Sequence, residues 1–214
     1  MIIYEGTCED FINQSLDREF RIGEEISKKM NIFHHQCTHT ELESWNNSLP
    51  ALARVLNLSE VPGKADIGIE YNIKGDKLRI DAMICGKDSS NTESAVIVEL
   101  KQWSSVDFTE KQYFVHTYGG AGEDDYWHPS YQAANYANII QNFYEYVQET
   151  PVLFHSCSYL HNMNKNNYGI IGNKELYPLI VNSPVFLKGD EHDMARYLEN
   201  LIVDPSTELL KRID

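Results

Sequence analysis

The segment Ala95-Val96-Ile97-Val98-Glu99-Leu100-Lys101 is a run of apolar, mostly β-branched residues that ends in two charged ones. Such a run predicts a buried β-strand, in which side chains alternate between the two faces of the sheet. Glu99 and Lys101 are therefore expected on the same face. A second apolar run carries Arg79-Ile80-Asp81, and we expect this neighbouring strand to deliver Asp81 beside Glu99.

Two carboxylates and an ammonium group on adjacent buried strands are costly to keep away from water. The burial becomes tolerable when Asp81 and Glu99 share a divalent cation and Lys101 lies beside a phosphate or the attacking water. This pattern indicates a metal-dependent phosphodiesterase. The alternative is a buried structural ion-pair network, in which the same three side chains neutralise one another without any chemistry.

The composition is that of a globular domain. The chain has 214 residues, 42% of them hydrophobic, which suits one domain with a core of ordinary size. No stretch approaches the length of a membrane helix and the start lacks a signal peptide, so we expect a cytoplasmic protein. The four cysteines include no CxxC pair, which predicts reduced, mostly buried thiols rather than disulfides or an iron–sulfur cluster. They are Cys8, Cys37, Cys85 and Cys157.

The net charge argues against a free-standing nucleic-acid binder. The chain carries 18 basic and 32 acidic residues, a formal charge of -14, which is the wrong sign for binding phosphates. Either a local basic strip or a basic neighbouring domain would have to supply that contact. The helical pattern of residues 208–214 has no Gly or Pro stop, which favours a chain that continues into a further domain.

Helices and strands can be placed along the first half of the chain. An amphipathic helix is predicted near 9–30, and Thr40-Glu41-Leu42-Glu43 resembles a capping box that opens a second helix through Leu56. Strands are predicted near 65–73 and 78–86, joined by a Gly-containing turn at 74–77 that suits a hairpin. The second helix is expected to bury a stripe formed by Trp45, Leu49, Leu52 and Val55.

The second half starts with a polar, glycine-bearing segment at 117–123. It lacks the Gly-Lys-Ser/Thr of a Walker phosphate loop, so we predict a flexible lid or a plain connection. A helix near 130–148, strands near 152–160 and 177–186 and a helix near 191–201 follow. The order predicts an α/β domain with a mixed central sheet flanked by helices.

The polar residues of the two strands and the next helix resemble the PD-(D/E)xK nuclease superfamily, specifically its RecB-type branch. That branch has an Asp, then Glu-x-Lys, then Gln-xxx-Tyr on the following helix. This chain has Asp81, Glu99-Leu100-Lys101 and Gln132-Ala133-Ala134-Asn135-Tyr136, with Ile80 where the family usually has Pro. The resemblance implies a restriction-endonuclease-like fold, a Mg²⁺ or Mn²⁺ cofactor and hydrolysis of DNA phosphodiester bonds.

Longer segments resemble bacterial proteins that join such a nuclease-like domain to a helicase-type ATPase. These segments are 41–49, 69–71, 98–103 and 128–132. The resemblance implies the N-terminal domain of a longer protein, with DNA and an ATPase as partners, in DNA metabolism or defence against phage. Two alternatives remain open, a non-cleaving DNA-binding or regulatory module of the ATPase, and an acidic protein-interaction domain. The second gives no reason for Lys101 on a buried strand.

The resemblance also implies roles for individual residues. Asp81, Glu99 and the Leu100 carbonyl would hold the metal, because hard oxygen ligands suit Mg²⁺ or Mn²⁺. Lys101 would position or deprotonate the attacking water, or stabilise charge on the phosphate. Gln132 and Tyr136 lie four residues apart, hence on one helix face, and would hold the substrate strand.

An additional acidic metal ligand is implied at Glu41, and four polar residues have structural alternatives. Glu41 can instead be an acid that favours the N-terminus of its helix. Gln132 and Tyr136 can cap backbone groups and fill the core. Glu70 can pair across the hairpin with Arg79.

Two further clusters have simple explanations. The residue types of His34-His35-Gln36-Cys37-Thr38-His39 could bind zinc, but their spacing fits no standard finger, which favours a polar loop between helices. The aromatic residues between 131 and 146 could stack on bases. The helical spacing of Phe143 and Val147 is more simply explained by packing in the core.

Overall fold

The structure, a computed structural model, describes residues 1–17, 19–32, 37–73, 78–120, 122–206 and 208–214. Their strands and helices follow in the order β1 (Ile2–Thr7), α1 (Cys8–Leu16), α2 (Ile22–Ile32), α3 (His39–Leu58), β2 (Asp66–Asn72), β3 (Arg79–Lys87), β4 (Glu93–Lys101), β5 (Phe114–Gly119), β6 (Gly122–Trp127), α4 (Pro129–Phe143), α5 (Glu145–Glu149), β7 (Val152–Asn164), α6 (Tyr168–Ile171), β8 (Val185–Lys188), α7 (Glu191–Leu201), β9 (Asp204–Pro205) and α8 (Leu209–Ile213). Short 3₁₀ helices cover Lys165–Asn167 and Pro178–Val181.

Seven strands of the described residues form one mixed sheet. Its order is β1-β2-β3-β4-β7-β8, and β9 pairs with the end of β3. The pairs from β1 to β4 are antiparallel, whereas β4–β7 and β7–β8 are parallel. Helices α1 to α3 and α7 pack on one face, and α4 and α8 on the other. The predicted α/β class, a mixed central sheet flanked by helices, is confirmed.

Strand β4 occupies the middle of the sheet because its side chains are apolar on both faces. Val96 and Val98 pack with the helices of one face, and Ala95 and Ile97 pack with α4 on the other. All four side chains are fully buried. The alternation inferred from the sequence is therefore confirmed.

The predicted β2–β3 hairpin is also present, although its turn at 74–77 lies outside the described residues. Both strands change face near the turn end of the hairpin. Ile69 and its partner Ala82 pack with α1 to α3, whereas Tyr71 and its partner Ile80 pack with α4 and α8. A regular strand would keep residues two apart on one face. The change occurs at Glu70, whose φ of 56° lies in the left-handed region.

Three predictions for the N-terminal part need correction. The helix expected near 9–30 is two helices, because the backbone is extended at Asp17. The Asp17 carboxylate accepts a hydrogen bond from the Glu19 N–H at 2.8 Å. The capping box is formed by Thr38 with Glu41, not Thr40 with Glu43, and α3 begins two residues earlier than position 41 would suggest. Strand β1, which pairs at the edge of the sheet with β2, was not predicted. The stripe of α3 is buried as predicted.

The glycine-bearing segment is neither a lid nor a plain connection. Residues 114–119 and 122–127 form an antiparallel hairpin, β5–β6. Gly122 at the start of β6 has a φ of 109°, a conformation that other residues rarely adopt. Gly119 and Gly122 form the last pair of the hairpin, at the end where its two strands connect.

The remaining elements agree in part with the sequence. The helix near 130–148 is interrupted at Tyr144, which is extended, so α4 and α5 are separate. The prediction of a strand near 177–186 is mostly wrong. Pro178 begins a 3₁₀ helix, and β8 starts only at Val185. Helix α7 has the predicted bounds.

All four cysteines of the chain are free thiols in the structure. Cys8, Cys85 and Cys157 are buried free thiols, and Cys37 is a partly buried one. Of the helices in the part of the chain that the structure describes, none has the length and apolar character needed to cross a membrane.

Candidate active site

Strands β3 and β4 separate where their charged residues begin. Their ladder ends with the pair Ala82 and Val98, and beyond it the N–H of Leu100 donates a hydrogen bond to Asp81 Oδ2 at 2.8 Å. The N–H and C=O of one strand residue point the same way, so the Leu100 carbonyl also faces Asp81. The predicted splay of the two strands at Asp81 and Glu99 is present.

Glu99 is a buried carboxylate with an N–H donor on only one of its oxygens. Its side chain is 1% exposed, and Oε1 accepts from Lys101 Nζ at 2.6 Å. Oε2 receives no hydrogen bond from an N–H or hydroxyl group of the described residues, and the Asp81 carboxyl group lies within hydrogen-bonding reach of the Glu99 side chain. Burial raises the pKa of Glu99 to about 8, and the negative charge of Asp81 adds to that rise. The folded protein therefore favours a neutral Glu99 at neutral pH, unless a cation joins it.

Asp81 and Lys101 complete a coupled group. Burial raises the pKa of Asp81, although the Lys101 ammonium and the Leu100 N–H oppose the rise. Burial disfavours the charge on Lys101, but Glu99 and Asp81 outweigh this cost, so the pKa of Lys101 is raised. Lys101 is therefore held as a cation. The sequence placed these three side chains together, and the structure does so.

A second buried carboxylate, Glu70, lies across the hairpin from Asp81. Its Oε1 accepts from the Trp45 indole N–H at 2.6 Å, and its Oε2 pairs with Nε of Arg79. Burial raises the pKa of Glu70 to about 8, Asp81 adds to the rise and Arg79 opposes it. The pairing of Glu70 with Arg79, considered from the sequence, is present. The contact with Trp45 was not anticipated, because no local pattern links residues of α3 and β2.

Glu41, implied as an extra metal ligand, already has partners for both oxygens. Oε2 accepts from the backbone N–H and the hydroxyl of Thr38, each at 2.9 Å. Oε1 accepts from Arg79 Nη2 at 3.0 Å. Glu41 therefore performs the structural role of a helix-capping acid, and it would have to leave these contacts to bind a cation.

Gln132 and Tyr136 lie on one face of α4, as predicted. Gln132 Nε2 donates to Tyr136 Oη at 2.8 Å. Burial raises the pKa of Tyr136, and the nearby charges of Glu99 and Asp81 add to this. The Tyr136 hydroxyl, with Gln132 bonded to it, is therefore near enough to feel the charges of Glu99 and Asp81.

Helix α4 is fixed at this position by a buried histidine. His128 Nδ1 accepts from the Ser130 N–H at 3.2 Å and so caps the helix. Its Nε2 donates to the Ile171 carbonyl at 2.9 Å. Burial lowers the pKa of His128 to about 4, so the ring is neutral and structural.

Two cavities open beside Asp81. The inner pocket has a volume of about 80 Å³ and is lined mainly by Glu41, Trp45, Glu70, Arg79, Asp81 and Leu100. The outer groove has a volume of about 420 Å³ and lies between α3 and the tip of the β5–β6 hairpin. Its walls include Asn47, Asp81, Lys101, Gln102, Tyr118 and Tyr126. Asp81 and Leu100 line both, so solvent reaches the carboxylate site from the groove.

The donor atoms fit a divalent cation in part. Asp81, Oε2 of Glu99 and the Leu100 carbonyl are hard oxygen donors at one place. No cluster of three or more His, Cys, Asp or Glu side chains suited to a metal is found in the described ranges. A cation here would rely on two carboxylates, one carbonyl and water, which is the set that Mg²⁺ accepts.

The histidine-rich segment can be described only at its end. His34, His35 and Gln36 lie outside the described residues. The Cys37 thiol donates to the Thr38 carbonyl at 3.4 Å, and His39 Nδ1 lies 3.6 Å from Glu43 at the exposed start of α3.

The packing in the core predicted for Phe143 and Val147 is present at only one of these two residues. Val147 is buried as predicted, but Phe143 is 80% exposed, so its assignment to the core is wrong. Tyr131 stacks on Tyr113, with ring centroids 4.7 Å apart.

Comparisons of the chain with protein-family models, with curated proteins and with solved structures found no match.

Proposed function

We propose that this chain is a Mg²⁺- or Mn²⁺-dependent nuclease domain that hydrolyses DNA phosphodiester bonds. The observation that carries the proposal is Glu99. It is a buried carboxylate that has Lys101 on one oxygen and no N–H or hydroxyl donor on the other, and its neighbour Asp81 lines an open groove. Two adjacent buried carboxylates that share one ammonium group are costly unless a further cation or a proton neutralises the second charge.

Asp81, Glu99 and the Leu100 carbonyl would hold the metal. When bound, it would supply a lowered pKa for water and neutralise charge that develops on the phosphate. The three donors lie at the end of the β3–β4 ladder, which fixes their separation through two strands rather than through a loop. The acid-to-amide variants of both carboxylates therefore test the same site.

Lys101 would act as a cation and not as a base. Its pKa is raised by Glu99 and Asp81, so an ammonium group faces the groove, with 20% of the side chain exposed. Positive charge at this place would stabilise the negative charge of the phosphate in the transition state. Gln132 and Tyr136, on α4, would hold the substrate strand beside the two carboxylates.

DNA binding by this chain alone should be weak, and tight binding would need a basic partner. The formal charge is -14, so few phosphates can be neutralised by this chain alone. The resemblance to domains joined to a helicase-type ATPase supports such a neighbour, in cis or in trans. DNA metabolism and defence against phage are settings in which a coupled nuclease and ATPase would operate.

The test is a cleavage assay with single- and double-stranded DNA in Mn²⁺, combined with thermal unfolding. Wild type should cleave, and Mn²⁺ should raise its melting temperature because the cation binds only the folded site. Asp81→Asn and Glu99→Gln should lose both effects. The exposed acid Glu149 provides a control, since Glu149→Gln should retain both. If Asp81→Asn and Glu99→Gln kept the full Mn²⁺ shift, the metal site would not be here.

A further inference from the structure

The outer groove has the size and chemistry of a site for one nucleotide. Its volume is about 420 Å³, within the range of small-ligand sites. Asp81 and Lys101 lie at its floor, so anything bound in the groove is adjacent to the proposed reacting phosphate. This inference therefore rests on the proposed function and concerns which part of the substrate the groove receives.

The hairpin tip that forms the outer wall is anchored to the strand that carries Lys101. Tyr126 of β6 packs on Trp103, with ring centroids 5.8 Å apart, and Lys101 Nζ lies 5.4 Å from the centre of the Trp103 ring. The Thr117 hydroxyl donates to the Ser105 carbonyl at 2.7 Å. Gly119 leaves room for the Tyr126 ring, with which a Cβ atom would collide. The wall is thus positioned relative to the catalytic residues.

Tyr118 presents an aromatic ring at the rim of this groove. It is 76% exposed, although an aromatic ring of this size normally gains by burial. Exposed rings beside a groove serve as platforms on which nucleobases stack. The chain holds Tyr118 at the tip of a two-stranded hairpin, where it contributes little to the core.

The opposite side of the groove offers hydrogen-bonding groups suited to the edge of a base. Asn47 Nδ2 donates to Gln102 Oε1 at 3.3 Å. This contact uses one donor and one acceptor, and leaves Asn47 Oδ1 and Gln102 Nε2 without a hydrogen bond in the described part of the chain. The free acceptor and donor can pair with the Watson–Crick edge of an unstacked base.

The charges of the groove favour a base over a backbone. Among the described residues that line it, Lys101 has the one cationic side chain, whereas Glu43 and Asp81 are acidic. A surface that follows a phosphate backbone would need several Lys or Arg residues. Contact through a stacked base requires no such charge.

We propose that the outer groove binds one unpaired nucleobase of the substrate, stacked on Tyr118 and bonded at its edge by Asn47 and Gln102. The substrate strand is then unpaired at the site of cleavage. A base paired within a duplex cannot enter, because its edge and its faces are occupied.

Binding of labelled oligodeoxythymidine of about ten nucleotides tests the proposal, since that length covers one binding site. Fluorescence anisotropy is measured in Ca²⁺, with the probe checked on a gel for intactness. Tyr118→Ala should weaken binding roughly 5- to 150-fold, the range for loss of one base–aromatic stack, and Tyr118→Phe should bind as wild type does. An abasic probe should bind wild type as weakly as the normal probe binds Tyr118→Ala.

Phe143 provides the matched control. It is an aromatic residue with 80% exposure, and it lies at the end of α4 that leads into the start of β7, away from Lys101. Phe143→Ala should bind the probe as wild type does. Equal binding by wild type and Tyr118→Ala, equal binding of the normal and abasic probes, or no binding by wild type would each overturn the proposal.

Cleavage of the same oligonucleotide in Mn²⁺ separates this proposal from the proposed function. If wild type cleaves the oligonucleotide but Tyr118→Ala binds the probe as tightly as wild type does, the base site is refuted and the nuclease function is supported. If binding depends on Tyr118 but wild type does not cleave, the base site is supported and the nuclease function is refuted.

Discussion

Replacing Glu99 with Gln should make the stability of the chain less sensitive to pH. Burial raises the pKa of Glu99 from 4.5 to about 8, so between these values the folded state holds a proton that the unfolded state has released. Because the folded state binds more protons, the free energy of unfolding falls as the pH rises through this window and is constant above it. Gln has no proton to lose, so Glu99→Gln should lack this loss.

The size of the effect follows from the two pKa values. A rise from 4.5 to about 8 corresponds to about 5 kcal/mol between the low-pH and high-pH limits, of which about 3 kcal/mol is already lost at neutral pH. The pKa of Glu70 is also raised to about 8 by burial, but Glu70 is present in both proteins. The difference between the two stability curves therefore isolates Glu99 to first order.

Urea denaturation at pH values from about 5 to about 9 measures this difference. The wild-type curve should fall with pH more steeply than the Glu99→Gln curve, and Glu149→Gln should follow wild type. Parallel curves for wild type and Glu99→Gln would refute the assignment of a buried proton to Glu99. Saturating Mn²⁺ should flatten the wild-type curve, because the metal replaces the proton at high pH.

Four further substitutions test the residues around Glu99. Lys101→Ala should abolish cleavage of DNA while Mn²⁺ affinity by calorimetry is unchanged or higher, since a competing cation is removed; wild-type turnover would exclude Lys101 from the chemistry. Gln132→Ala and Tyr136→Phe should lower kcat more than the melting temperature, because they remove polar tips and little bulk; the opposite ranking would assign both to the core. Trp45→Phe should destabilise the fold by about 1–3 kcal/mol through the lost hydrogen bond to Glu70, and a double-mutant cycle with Glu70→Gln should show coupling.

The central strand and its charged end could be predicted because the signal is local. Side-chain alternation along β4 determines that Glu99 and Lys101 share a face, and no distant residue changes that. The β2–β3 hairpin then leaves one place for Asp81, next to Leu100. These predictions depend only on short stretches of sequence, and the structure agrees with them.

The parts that could not be predicted depend on contacts between distant segments. Glu70 has a left-handed backbone conformation, and its carboxylate accepts a hydrogen bond from Trp45 on helix α3, a contact that no local pattern indicates. The β5–β6 hairpin is held by Trp103 and Ser105, which precede it by a polar stretch with no periodic pattern. The glycines at 119, 120 and 122 led to the prediction of a lid or a plain connection, and nothing in the local pattern indicated the two strands beside them.

Asp81, Glu99 and Lys101 come from one continuous stretch, β2 to β4, whereas helix α4 on the same side of the sheet as Glu99 comes from further along the chain. The antiparallel pairs of this stretch close short loops, whereas α4 and the parallel strand β7 join after a long excursion through the β5–β6 hairpin. Short-range pairs form first when loop closure limits the rate. Glu99 would then stay hydrated until α4 closes over it late in folding. The cost of burying its charge is absent from an early transition state, so raising the pH accelerates unfolding and leaves the folding rate nearly unchanged.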